Sequence, residues 1–335
     1  VGLHDDALLP HWQEFANALQ LYKNPAASFC IQIKNMQLSS SVMSLLAPAL
    51  KDKPIKTFVL SNNEFENARE GIDFAIEIIQ SNPGLKQFYW GNNPIHSMND
   101  ANHLVEAVIS HPRIYCIHLP NCFGENVDVY SILCTLLASG KEFSRIKLKS
   151  NDIQTGWGTE IPDFLATNPP LNRLVLTNNH LDDNDAVLIA RSLKRNTNLR
   201  RLGLGHNGIT DIGRDALSST IFDSTSLNAV AASNHSCSIE GLYFDSIVLN
   251  NVGDCKVNRG RKIYSLLSTR NREGTNVQHL DAEFEDLKLV PKVLEAVRHY
   301  AVYGSSVDDV HPLSIMYEAL RSWKMPTLYE SNGAS

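Results

Sequence analysis

One eleven-residue phrase, L-x-x-L-x-L-x-x-N-x-L, recurs along most of the chain and constrains its fold more than any other feature. Clean copies begin at Ile55 (IKTFVLSNNEF), Leu85 (LKQFYWGNNPI), Phe143 (FSRIKLKSNDI), Leu171 (LNRLVLTNNHL) and Leu199 (LRRLGLGHNGI). Degenerate copies begin at Ser28 (SFCIQIKNMQL), at Ile114 (IYCIHLPNCFG, with Cys122 in the Asn slot) and at Leu227 (LNAVAASNHSC). Successive starts fall 27 to 30 residues apart. Chance matches would not hold that register.

The alternating apolar positions of the phrase predict a short strand with one face buried, and its Asn can satisfy backbone groups where the chain turns away. The rest of each period predicts a helix with an apolar stripe: Ile72, Ala75, Ile78 and Ile79 in one, Leu104, Val105, Val108 and Ile109 in the next, then Ile132, Leu133, Leu136 and Leu137. Each period is thus an expected β-turn-α unit. Such units bury their faces only by stacking, so the predicted fold class is α/β, a solenoid with a parallel concave sheet and convex helices. The phrase and its period resemble the ribonuclease-inhibitor type of leucine-rich repeat, and the resemblance covers about Ser28 to Cys237.

The ends should cap this array. The expected organisation is an N-terminal capping helix in 1–27, built on His11 to Tyr22, about eight repeats in 28–237, and a helical C-terminal cap or small appended domain in 238–335. Within the last segment helices are expected over Arg261–Thr269, Leu289–Val302 and Pro312–Trp323, with Ile239, Leu242, Phe244, Ile247 and Leu249 continuing the repeat core. The stretches RKIYSLLSTRNREGTNVQHL, LKLVPKVLEAV and PLSIMYEALRSWKMPTLYE, with the SNHSC ending of the last repeat, resemble tails of leucine-rich-repeat proteins predicted in diatoms and related algae. That second resemblance implies no settled activity.

Several classes are excluded or disfavoured. The charge-free apolar run from Val129 to Gly140 falls short of the roughly 20 residues a membrane span needs. Six cysteines (Cys30, Cys116, Cys122, Cys134, Cys237, Cys255) form no C-x-x-C pair, which suggests free thiols in a reducing compartment, cytoplasmic or nuclear. Val1 to Leu9 lacks the pattern of a signal peptide. No P-loop, H-E-x-x-H, G-x-S-x-G or EF-hand phrase is present, so no catalytic residue, metal or cofactor is assigned. Gly203 to Gly208 spells G-x-G-x-x-G, yet in register it is a repeat strand and its turn. His235, Cys237 and Cys255 fall short of four-ligand metal spacing. Asn63, Asn93, Asn151, Asn179 and Asn207 read as turn residues of the repeat rather than a polar site.

The informative surface comprises phrase positions 2, 3, 5, 7 and 8, which should project from the sheet opposite the helices. Across the eight copies these positions carry nine of the 30 basic residues (Lys34, Lys56, Lys86, Arg145, Lys147, Lys149, Arg173, Arg200, Arg201) and none of the 36 acidic ones. That leaves 21 basic against 36 acidic elsewhere, so the molecule should be polarised although its net charge is −6. Arg145, Arg173 and Arg201 take position 3 in three consecutive copies, a row suited to bidentate recognition of carboxylate or phosphate. Tyr89, His118 and Lys147 fall side by side at position 5, with Tyr115 nearby, an aromatic and cationic grouping typical of interface anchors.

These observations predict a non-catalytic protein-protein interaction scaffold or adaptor. Its basic concave face would bind an acidic protein partner through Arg145, Lys147, Lys149, Arg173, Arg200, Arg201, Tyr89, His118 and Tyr115. An alternative is a GTPase-activating protein, because the Ran GTPase activator resembles this repeat class, although no catalytic position can be matched. A third is nucleic-acid or polyanion binding, opposed by the overall negative charge and the few exposed aromatics.

Overall fold

A computed structural model describes residues 5–22, 28–242, 250, 253–283, 290–303 and 312–322. Helix α1 (Asp5–Leu21) comes first and sets Ala16 and Leu19 against the first repeat. Strand and helix then alternate: β1 (Phe29–Lys34) and α2 (Ser40–Leu50), β2 (Ile55–Ser61) and α3 (Ala68–Ser81), β3 (Gln87–Gly91) and α4 (Met98–Ser110). The pattern continues through β4 (Cys116–His118) and α5 (Val129–Ala138), β5 (Arg145–Lys147) and α6 (Glu160–Ala166), β6 (Arg173–Val175) and α7 (Asp183–Leu193). After β7 (Arg201–Gly203) and α8 (Asp211–Ile221) a short helix α9 (Leu227–Ala232) intervenes before β8 (Ser238–Glu240). Among the described residues four helices follow: α10 (Cys255–Arg272), α11 (Asn276–Glu283), α12 (Val290–Tyr303) and α13 (Pro312–Ser322).

These eight strands form one parallel sheet in sequential order, while two short strands, Gln37–Leu38 and Glu64–Phe65, pair separately in parallel. Positions 4 and 6 of the phrase fill its core: Phe58, Leu60, Phe88, Trp90, Leu174, Leu176, Leu202 and Leu204 are all buried. The predicted helical stripes pack on the same side, where Ile72, Ala75, Ile78 and Ile79 are almost wholly excluded from water. The fold is therefore α/β, built of repeated strand-helix units.

Two polar columns close each strand. Position 8 is left-handed throughout the seven copies, at Asn35, Asn62, Asn92, Asn121, Ser150, Asn178 and His206, with φ between 47° and 59°. Asn tolerates that region better than most side-chain-bearing residues, which accounts for its frequency there. The position 9 Asn then ties adjacent copies together. Asn179 accepts through Oδ1 from the N–H groups of Asn151 and Ile153 and donates through Nδ2 to the carbonyls of Leu148 and Leu176. Asn63, Asn93, Asn151 and Asn207 make equivalent bonds. Left unpaired, each of these buried backbone groups would cost about 1–3 kcal/mol.

The eighth copy departs from the sequence reading. Leu227 begins α9, not a strand. Positions 1 and 4 of the phrase are three residues apart, a spacing equally compatible with a helix face, and the Ser226 hydroxyl caps that helix by accepting from Ala229 N–H. The true eighth strand is Ser238–Glu240, with Ile239 opposite Leu202. Asn234, three residues before Cys237, accepts from the N–H groups of Ser236 and Cys237. Asn196 does the same before Leu199. The sheet therefore runs past the boundary drawn at 237.

Leu227 and Val230 join a second core with Ile263, Leu266, Leu267, Leu280, Val293, Val297 and Ile315 of the C-terminal helices. Ile239 belongs to the main core and Leu242 packs against it, whereas Phe244, Ile247 and Leu249 lie outside the described residues. Among the described residues no helix is long and apolar enough to cross a membrane.

Candidate partner-binding face

The outward positions of the strands place the basic residues on the sheet face away from the helical core. Arg145, Arg173 and Arg201 lie directly opposite one another on β5, β6 and β7, so their side chains leave strands about 4.8 Å apart. Unscreened by a partner, neighbouring guanidiniums at about 5 Å would repel by roughly 0.8 kcal/mol per pair in water.

Tyr89, His118 and Lys147 form the next row across β3, β4 and β5. The Tyr89 ring meets His118 edge-on with centroids 5.6 Å apart, and His118 Nε2 lies 3.2 Å from Cys116 Sγ. Burial, reinforced by Lys147, Arg145 and Arg173, holds the His118 pKa down to about 4. Burial, with Arg173 and Arg145 close by, also lowers the Lys147 ammonium. Burial pushes the Cys116 thiol up, against the pull of Arg145 and Lys147. At neutral pH the pair is thus an uncharged imidazole against a protonated thiol, beside the charged Arg145 and Lys147. Tyr115 sits one residue before β4, half-buried, and among the described residues no ring contact joins it to Tyr89 or His118.

The face carries an acid that the sequence reading did not place there. Glu240 on β8 pairs with Gly203 of β7 in the strand register. Its Oε2 accepts from Arg173 Nη2 at 2.8 Å and its Oε1 from Arg201 Nη1 at 3.5 Å. The expectation of an acid-free surface is therefore corrected, and the cause is the misplaced eighth copy, whose outward positions hold no charge. No motif in the sequence points to it; its register partner Gly203 is a glycine where a Cβ would lie 2.9 Å from Thr177 Oγ1 and 3.1 Å from Val175 Cγ1. The G-x-G of this strand has a second structural reason. A Cβ on Gly205 would lie 2.7 Å from the Cα of Gly241, so the chain leaving β8 approaches β7 too closely for any side chain there.

Arg200 does not join the row. It is half-buried and its Nη1 donates to Cys255 Sγ at 3.1 Å, at the start of α10. Burial raises the Cys255 thiol pKa, but the contacts of Ser236 and Arg200 with its sulfur outweigh that, and the net shift is downward. Lys149 is exposed beyond the end of β5. His235 and Cys237 are buried, and burial is the main cause that holds the His235 pKa down to about 3 and lifts Cys237 to about 12. Among the described residues no group of three or more His, Cys, Asp or Glu side chains is placed to hold a metal ion.

The face thus gathers Arg145, Arg173, Arg201, Lys147, His118 and Tyr89, with Glu240 as a partial counter-charge. The chain matches no protein-family model, and no curated protein is significantly similar to it in sequence.

Proposed function

We propose that this chain is a leucine-rich-repeat solenoid of the ribonuclease-inhibitor type that works as a non-catalytic interaction scaffold, gripping an acidic segment of a protein partner on its basic face. The phrase, its period and the sequential parallel sheet support the architectural part. The observation that carries the functional part is the in-register row of Arg145, Arg173 and Arg201 beside Lys147, four cations facing one carboxylate. A rigid sheet fixes their spacing before a ligand arrives, which favours recognition of several carboxylates at once. All six cysteines are unpaired, which suits a reducing compartment such as cytoplasm or nucleus.

The test is affinity capture from native extract with the intact chain and with an Arg145→Ala, Arg173→Ala, Arg201→Ala triple variant of equal stability. The reading expects proteins with acid-rich segments to be captured by the intact chain and lost with the variant. Capture of the same set by both would contradict it.

A further inference from the structure

Among the described residues, Glu240 is the one acidic side chain at the outward positions of the eight strands. It reaches Arg173 two strands away and Arg201 one strand away, giving one carboxylate oxygen to each. On the intervening strand β7, the register partner of Glu240 is Gly203, which carries no side chain. The carboxylate is itself partly open to water, with 37% of its side chain exposed, and the two arginines are 27% and 58% exposed. Exposed and half-exposed ion pairs of this kind exchange at little cost.

The pairing is also incomplete. Arg145 and Lys147 have no ion-pair partner among the described residues, and Arg173 Nε is buried without a hydrogen-bond partner there. One carboxylate is shared by two guanidiniums. The row therefore has an open rung on the β5 side and a rung on the β7 side held by the chain's own acid.

We propose that Glu240 is an internal competitor of the acidic partner. It occupies the Arg173 and Arg201 rung in place of a partner carboxylate, leaves the Arg145 and Lys147 rung open for first contact, and is displaced when a segment bearing several carboxylates engages the whole row. This inference rests on the reading of the face as an acidic-partner surface. It adds that affinity is set from within the chain, and that a ligand with a single carboxylate settles on the open rung without displacing Glu240. Carboxylate is the chemistry named because a carboxylate already sits there, bridging guanidiniums on adjacent strands.

The experiment is a fluorescence-anisotropy titration of the full chain with a labelled hexaglutamate peptide. It compares wild type, Glu240→Gln, Glu77→Gln and an Arg145→Ala, Lys147→Ala double variant. Glu77 is exposed on helix α3, so its substitution changes net charge equally without touching the row. Glu240→Gln should bind about three- to tenfold more tightly than wild type. Glu77→Gln should stay within about twofold, since a charge on the helix side is screened from the face. The double variant should lose most of the binding. If Glu240→Gln gains no more than Glu77→Gln while the double variant still loses binding, the competitor is overturned and the surface reading survives. If the peptide binds all four proteins alike, or none, the surface reading falls and the competitor with it. Glu240→Ala, judged by the same titration, guards against residual hydrogen bonding by glutamine.

Discussion

Replacing Lys262 with methionine should alter how stability depends on pH. Lys262 lies in α10 with its side chain fully buried, and its Nζ donates to the carbonyls of Ile221 and Asn234 and to Asn250 Oδ1 at 2.6, 3.1 and 2.6 Å. No carboxylate faces it among these partners. Burial, with nearby Arg261 adding to it, lowers its pKa from 10.5 to about 7. Between those values the unfolded chain holds a proton that the folded chain has released, so stability rises with pH through that window and falls as pH drops to about 7. A shift of this size corresponds to roughly 3–6 kcal/mol across the window. The methionine variant lacks this slope, whatever fixed cost it carries from three unpaired oxygens. Denaturant unfolding of both proteins at several pH values from 6.5 to 10.5 measures the difference directly, because pH-independent costs cancel between slopes. The variant should lose about 3–6 kcal/mol relative to wild type from the acid to the alkaline end. Parallel curves would show that the Lys262 amine is solvated, and would refute the packing of α10 against the last repeat.

Three further outcomes follow from the packing. Leu202→Ala, at a wholly buried core position, should cost about 2–5 kcal/mol in denaturant unfolding, with faster hydrogen exchange in β6 and β8. Asn179→Ala should cost about 2–4 kcal/mol in the same assay, since it strands the N–H groups of Asn151 and Ile153. Truncation after Cys237 removes β8, bares the edge of β7 and uncovers Leu227 and Val230, so limited proteolysis should find the product insoluble or rapidly cleaved; a product as stable as the whole would make the tail an independent module.

The sequence was most legible where one period repeated itself. Seven strands lie where the phrase set them, because alternation and helical stripe agreed within each unit and every neighbour repeated the pattern. The eighth strand was lost because Leu227 and Val230 satisfy a helix as well as a strand phrase, while Ser238 to Glu240 offers one buried aliphatic residue, Ile239. That single misplacement hid Glu240, and with it the counter-charge of the arginine row. Arg200 shows a second limit: phrase position 2 fixes which strand carries a side chain but not whether a later helix will cover it, and α10 does. The tail was harder to read because α10 is rich in charge yet buries Lys262 and Arg270. Arg270 finds Glu283 on α11 at 3.0 Å, with both side chains largely withdrawn from water. Helix α11 itself went unanticipated, since its sequence carries only a weak apolar stripe.

The central claim, that the basic face of the sheet binds an acidic partner, is tested most directly by reversing charge on the open rung. Binding of the captured partner is titrated at low and physiological salt against wild type, Arg145→Ala, Arg145→Glu and Lys194→Glu, the last an exposed charge just beyond α7. Affinity should fall in the order wild type, Arg145→Ala, Arg145→Glu, with Lys194→Glu near wild type, and the differences should shrink as salt screens the face over about 8 Å. Equal affinities for wild type, Arg145→Ala and Arg145→Glu at low salt would contradict the claim.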